Sequence, residues 1–152
     1  MNQPKPAGKQ PGPIAKALMV AFTRLNAAVY RLSDGRVMGK FGNSDICVVR
    51  MTGARSGAQR DVPLMYVPNG AGVILVASLG GAPNNPVWYH NLVAHPDIEV
   101  LIKGETRKLR ARIASPAEKA AVWPRCVAAY APYQSYQDRT ARDIPIFICD
   151  PR

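Results

Sequence analysis

The chain has 152 residues, 47% of them hydrophobic, and carries 20 Lys/Arg against 10 Asp/Glu for a net charge of +10. That length supports one domain with its own core, so neither disulfides nor a structural metal are needed to staple it. No apolar run is long enough to span a bilayer and no signal-peptide core opens the chain; Cys47, Cys126 and Cys149 lack metal-ligand spacing and read as small buried hydrophobes of a reducing cytoplasm.

Residues 1–13 hold four Pro, two Gly and two Lys, and read as a flexible basic tail ahead of a single domain over 14–152. Over 14–32, Ile14, Leu18, Phe22, Leu25, Val29 and Leu32 recur at three- and four-residue steps, the pattern of an amphipathic helix that Asp34-Gly35 stops. Such a helix packs on the domain's own core or, with the basic tail, lies on an anionic membrane surface; its cations Lys16, Arg24 and Arg31 give only modest membrane attraction. Strands are expected at 45–51 and 62–67 around a turn at 52–60, and at 73–78 after a Pro68-Asn69-Gly70 turn. A helix at 86–95 follows, then a hairpin of 98–103 and 106–114 about Gly104-Glu105, with Leu109, Ala111 and Ile113 on one face and Lys108, Arg110 and Arg112 on the other. Ser115-Pro116-Ala117-Glu118 is a capping box opening a helix to about residue 130, which Pro124 should kink or interrupt. A strand at 144–149 closes the chain. Hairpin-linked strands with few intervening helices argue against a doubly wound parallel sheet and for a small antiparallel barrel with peripheral helices, since closing the sheet removes its edges.

The stretch 72–92 carries the most chemistry. A buried strand ends at Ser78, breaks at Gly80-Gly81, and re-enters as a helix whose cap would be Asn85 with Pro86 in its first position. This is either a ligand cradle, with glycines for close approach and helix amides and aromatics to meet the ligand, or an ordinary strand–loop–helix junction. Absences narrow the choice. There is no GxGxxG, no phosphate-binding lysine loop and no GxSxG, and His90 and His95 have no Cys or carboxylate at ligand spacing, so no metal site is expected. A chain this short of acid–base groups suits chemistry carried by a cofactor. The charge is also lopsided: residues 1–60 hold ten Lys/Arg against Asp34 and Asp45, whereas 61–152 hold ten against eight acids. That front half predicts a polyanionic partner. Nucleic acid is disfavoured, because only Phe22, Tyr30 and Phe41 interleave with those cations.

Ala77-Ser78-x-Gly80-Gly81 followed by Pro86-x-Trp88-Tyr89-x-Asn91-Leu92-x-Ala94-x-Pro96 resembles the signature of the deazaflavin-dependent nitroreductase family, split β-barrel oxidoreductases of actinobacteria that use coenzyme F420. The resemblance extends to Thr52-Gly53-Ala54-Arg55-Ser56-Gly57, Arg60, Pro63-Leu64-Met65-Tyr66, the series Tyr130, Tyr133 and Tyr136, and the ending Ile144-Pro145-Ile146 to Asp150-Pro151. It runs from Tyr30 to the C-terminus, about four fifths of the chain. It implies a split β-barrel of the FMN/F420-binding type preceded by the N-terminal helix, and an F420H2-dependent reductase. That enzyme would pass a hydride to an electron-poor planar acceptor such as a quinone, a nitroaromatic or an activated enone. The alternatives are a non-catalytic F420 carrier and an FMN-dependent oxidoreductase of the same fold. The partner implied is the small-molecule acceptor; the inner face of the membrane would be a further partner only through the amphipathic helix read above over 14–32.

Carried over position by position, Ala54, Arg55, Ser56, Arg60, Asp61, Val62, Pro63, Leu64 and Met65 would hold the coenzyme's phosphate and acidic tail; without the resemblance the turn is a solvated hairpin tip. Val76, Ala77, Ser78 and Leu79 would line the deazaflavin from the strand, and Val87, Trp88, Tyr89, His90 and Asn91 from the helix, although Trp88 equally suits a core. Leu79 departs from relatives that carry a basic residue there. Tyr130, Tyr133 and Tyr136 would wall the acceptor site, Tyr133 also touching the coenzyme, and Ser78 with one tyrosine would hydrogen-bond the oxygen on which charge develops. Pro132 within this series predicts a turn-rich segment rather than a helix.

Overall fold

The computed structural model describes residues 12–13, 40–41 and 44–152. The expected tail, apart from residues 12 and 13, and the expected 14–32 helix lie outside them. The strands are β1 (Lys40–Phe41), β2 (Ser44–Thr52), β3 (Gln59–Met65), β4 (Val67–Asn69), β5 (Gly72–Val76), β6 (Asp97–Ile102), β7 (Glu105–Ile113) and β8 (Ile146–Pro151). The helices are α1 (Val87–Ala94), α2 (Pro116–Ala129) and α3 (Pro132–Arg139), with a single tight turn at Leu79–Gly81. Every strand pairing is antiparallel, along the path β1-β2-β6-β7-β8-β5-β4 with β3 on the other side of β2. This is a mainly β fold with peripheral helices.

The sheet is not closed into a barrel, which corrects the expectation from the sequence. No ladder joins β3 to β4, the strands at the two far ends. Each carries a proline, Pro63 and Pro68, and a residue without an N–H confines its strand to an edge. The expected 62–67 strand is likewise two strands broken at Tyr66, whose N–H donates to the Asp45 carbonyl at 3.2 Å.

Strands β5 and β8 occupy the middle of the molecule and are covered on both faces, so all of β5 is buried. Val73, Leu75, Ala77, Phe147 and Cys149 face a core that β2, β6, β7 and α1 complete with Val49, Met51, Leu92, Ile98, Val100 and Leu109. Ile74, Val76 and Ile146 face a second core capped by Cys126, Tyr133 and Ile144 from the α2–α3 side. The three cysteines are buried and unpaired, and burial pushes the thiols of Cys47, Cys126 and Cys149 up, that of Cys149 to about 12. They are inert thiols that pack as small hydrophobes.

The Ser115–Glu118 capping box forms in both directions, at 3.2 Å and 3.1 Å. α2 runs through Pro124 as one element, with Ala120, whose carbonyl loses its helical donor, exposed. The β6–β7 turn sits one residue earlier than expected, on Lys103 (φ 48°) and Gly104 (φ 83°) between paired Ile102 and Glu105, the two-residue geometry that matches strand twist. Ile113, expected beside the inward Leu109 and Ala111, is 46% exposed at the end of its strand. The tyrosine segment is helical, against expectation: Pro132 stands in the first turn of α3, where a missing N–H costs nothing and its fixed φ favours the helix. Among the described residues no helix is long and apolar enough to cross a membrane.

Candidate functional site

The end of β5 is tied to the last strand by the Ala77 N–H to the Pro145 carbonyl at 2.9 Å. The chain then turns sharply: Ser78 is right-handed (φ −78°, ψ −39°), while Leu79, Gly80 and Gly81 follow with φ of 42°, 61° and 79°. Glycine tolerates such φ values, but Leu79 is strained there by roughly 1–2 kcal/mol. The turn is closed by Gly81 N–H to Ser78 O at 2.9 Å and Ala82 N–H to Leu79 O at 3.1 Å. Position 81 must be glycine for a second reason: a Cβ would lie 2.7 Å from the Tyr136 carbonyl oxygen of α3.

Helix α1 leaves this loop with Pro86 as its cap, and Asn85 does not cap it as expected. Asn85 Oδ1 instead accepts from Arg142 Nη1 at 2.8 Å. Trp88 and Tyr89 lie against Phe147, with ring centroids 5.8 and 5.5 Å away, and pack on the first core. The exposed His90 meets Tyr89 edge-on at 5.1 Å, and Val87 is 79% exposed in the first turn. Buried Asn91 fastens the helix to the 52–60 turn: its Oδ1 accepts the Ala54 N–H at 2.9 Å and its Nδ2 donates to Met51 Sδ at 3.6 Å. An eight-residue helix is about 12 Å long, so α1 bridges the Ser78–Pro86 loop and the basic turn.

That turn is held by Gly53 N–H to Ala58 O at 2.8 Å and Gly57 N–H to Gly53 O at 2.9 Å, which leaves Ala54, Arg55 and Ser56 exposed. Arg60 is exposed as well and lies opposite Met51 in the β2–β3 ladder, at the outer end of the row Arg60, Val62, Leu64 that faces the first core. Among the described residues neither Arg55 nor Arg60 has a carboxylate partner. Asp61, Pro63 and Met65 alternate onto the other face, where Asp61 holds Arg50 through two bonds of 3.1 and 3.3 Å. The expected tail-binding set is therefore divided between two faces of β3.

The tyrosines do come together. Tyr133 is buried, with its ring 4.9 Å from Tyr130 and 6.5 Å from Tyr136, and the Tyr130 and Tyr136 hydroxyls are 3.2 Å apart. The bond to Tyr136, with some help from burial, pushes Tyr130 up to about 12, and burial pushes Tyr133 up as well. Both phenols stay neutral near pH 7 and act as hydrogen-bond donors rather than bases. α3 is fastened to its surroundings: Trp123 Nε1 donates to Gln134 Oε1 at 2.8 Å, Lys119 reaches both Gln137 and Asp143, and Gln137 Nε2 donates to the Arg142 carbonyl at 2.8 Å. The backbone of Tyr136 lies directly on the Leu79–Gly81 turn. Ser78, half-buried at the start of that turn, is thus adjacent to the tyrosine helix.

The family model of the F420H(2)-dependent quinone reductases matches residues 22–151. The chain belongs to that family. It is 44% identical over 98 residues to Rv3178 of Mycobacterium tuberculosis, whose name carries the same activity, across 64% of this chain and 82% of that one. It is 34% identical over 133 residues to the F420H(2)-dependent quinone reductase Rv1261c of the same organism, across 85% and 89%. A solved F420-H2 dependent reductase, FDR-A, superposes with a TM-score of 0.65 at 40% identity, covering 69% of this chain and 93% of that one.

In this member of the quinone reductase family the residue that sequence reasoning missed is Arg142. Its guanidinium donates to Ala82 O at 2.8 Å, Ser78 O at 2.8 Å, Ala77 O at 3.2 Å from both Nη atoms, and Asn85 Oδ1 at 2.8 Å. One side chain therefore ties both ends of the loop between β5 and α1. The sequence held little sign of it, because three of its four acceptors are backbone carbonyls, which leave no trace in residue type. Asn85, expected from the sequence to cap α1, spends its side-chain oxygen on Arg142 instead.

Proposed function

We propose that the protein is an F420H2-dependent reductase that delivers a hydride to a quinone, with nitroaromatics and activated enones as further acceptors of the same planar, electron-poor class. The observation that carries this reading is the arrangement about α1. Two exposed arginines without carboxylate partners, Arg55 and Arg60, stand at the turn pinned to its second turn, and the Ser78–Gly81 turn stands at its start. The chemistry of these residues fits F420. Its phosphodiester and oligoglutamate tail requires cations, which Arg55 and Arg60 offer as planar forks for bidentate bonds. Its flat ring requires apolar surface and a few donors, which Ser78, Leu79, Val87, Trp88, Tyr89 and His90 offer about the loop, with the buried Val76, Ala77 and Asn91 supporting them from behind.

When bound, the reduced coenzyme supplies the hydride. The protein's own part is to hold donor and acceptor in line, to keep water out and to meet developing negative charge on the acceptor with fixed donors. Ser78 Oγ and the phenols of Tyr130 and Tyr136 are those donors, and Tyr133 braces them from the second core. Residues 54–65, divided as they are between two faces, contact the tail chiefly through Ala54, Arg55, Ser56, Arg60, Val62 and Leu64. Work in the cytoplasm, with residues 14–32 resting on the inner face of the membrane where quinones dissolve, completes the reading. Its support is the amphipathic spacing in the sequence.

The test is titration of the purified protein with F420, FMN and NADPH by fluorescence, followed by F420H2 oxidation with and without menadione. Selective F420 binding with menadione-dependent oxidation is expected. F420 binding with no oxidation by any acceptor would identify a coenzyme carrier, and preference for FMN would overturn the reading.

A further inference from the structure

Arg142 is an unusual place for a guanidinium. It is half-buried, and among the described residues no carboxylate pairs with it. Its donors are instead committed to Ala77 O, Ser78 O, Ala82 O and Asn85 Oδ1. A long cation withdrawn from water to bind neutral carbonyls is costly unless the segment it holds must keep one shape.

The geometry of that segment says what the shape is for. Among the described residues no peptide bond is cis, so the C=O of one residue and the N–H of the next point in opposite directions. With Ala77 O and Ser78 O both turned toward Arg142, the N–H groups of Ser78 and Leu79 must point away from it. Neither N–H has an acceptor among the described residues. The right-handed φ and ψ of Ser78 (−78° and −39°) set these two amides side by side, and with Leu79 left-handed after it (φ 42°) the pair makes a right-to-left-handed turn whose successive amides form an anion-seeking concavity. The guanidinium behind the carbonyls also polarises both peptide groups, making their N–H ends stronger donors.

We propose that Arg142 is a positioning residue, which holds the Ala77–Asn85 loop so that the main-chain N–H groups of Ser78 and Leu79 face an oxygen that carries or gains negative charge. This rests on the reductase reading above. The oxygen belongs either to the coenzyme's ring or to the acceptor, and the two sources separate in experiment. It also accounts for Leu79: where the donor is the main chain, held from behind by Arg142, the side chain at that position need not be basic.

The experiment is to compare wild type with Arg142→Ala and Arg142→Lys, first for folding by circular dichroism and melting. F420 affinity is then followed by fluorescence, and KM and kcat with menadione by turnover. Loss of two charge-directed hydrogen bonds is expected to cost about tenfold or more in one of these quantities. Weaker F420 binding assigns the oxygen to the coenzyme; unchanged F420 affinity with a lower kcat or higher menadione KM assigns it to the acceptor. Lysine keeps the charge but lacks the fork, so Arg142→Lys should resemble Arg142→Ala. Free guanidinium, far below denaturing concentration, should partly restore Arg142→Ala where sodium at equal ionic strength does not. Should Arg142→Ala fail to fold, the lysine variant carries the same comparison. Wild type that binds no F420 would sink the reductase reading. Wild type that binds and turns over, beside folded variants with unchanged affinity and kinetics, would overturn the role of Arg142 alone.

Discussion

At the scale of single residues, the site depends most on Gly81. Its φ of 79° is left-handed, and a Cβ there would stand 2.7 Å from the Tyr136 carbonyl oxygen, a backbone atom that cannot rotate aside. Gly81→Ala combines backbone strain with a clash against α3, and should destabilise the protein by about 1–3 kcal/mol. Gly80, with φ 61° but open space around its Cβ position, lacks the second penalty. Gly80→Ala should therefore cost about 1 kcal/mol. Denaturant midpoints of the two variants measure the difference, and equal losses would mean that the contact with Tyr136 is slack.

At the scale of elements, helices α2 and α3 show what local sequence can and cannot specify. The capping box of α2 was legible because its two partners are three residues apart and identified by type. It has a titratable member: the Ser115 N–H, and secondly Arg112, hold the Glu118 carboxylate below its ordinary range. Its contribution to stability is therefore complete above the ordinary carboxylate pKa and is lost as pH falls through the lowered one. The melting temperature should drop across that acidic window, and less so in Glu118→Gln, whose amide does not titrate. α3 departs from the turn-rich segment its sequence suggests because Pro132 starts the helix instead of breaking it, and because the burial of Tyr133 depends on Cys126, Ile144 and Ile146, all non-local to the motif. That burial decides how to test the tyrosine. Tyr133→Ala should cost about 3–5 kcal/mol of stability through the cavity it leaves. Tyr133→Phe should leave melting nearly unchanged, so any change in its F420 affinity or menadione turnover reports the hydroxyl itself. Arg142 escaped sequence reasoning for the same physical reason: it reads backbone carbonyls 60 to 65 residues away.

At the scale of the whole molecule, the local hairpins, β2 with β3 and β6 with β7, were legible from strands flanking a turn. The long-range ladders of β2 with β6, β7 with β8 and β5 with β8 and the openness of the sheet were not, since these are set by which strands meet in space. The excess of +10 was legible outright, and so was its concentration in residues 1–60. The structure sorts part of that excess. Arg50, Arg107, Arg110, Arg112 and Lys119 are matched by carboxylates, whereas Arg55 and Arg60 are not. Exposed charges act on a ligand through water, over a screening length near 10 Å at 0.1 M salt and 3 Å at 1 M. F420 affinity should therefore fall steadily with added salt and rise with the number of glutamates on the tail, while the KM for an uncharged quinone should barely move. Arg60→Ala should weaken F420 binding at low salt and flatten the salt dependence, so that mutant and wild type converge as salt rises. Parallel curves would place Arg60 at a contact that salt does not screen, and identical ones would remove it from the coenzyme altogether.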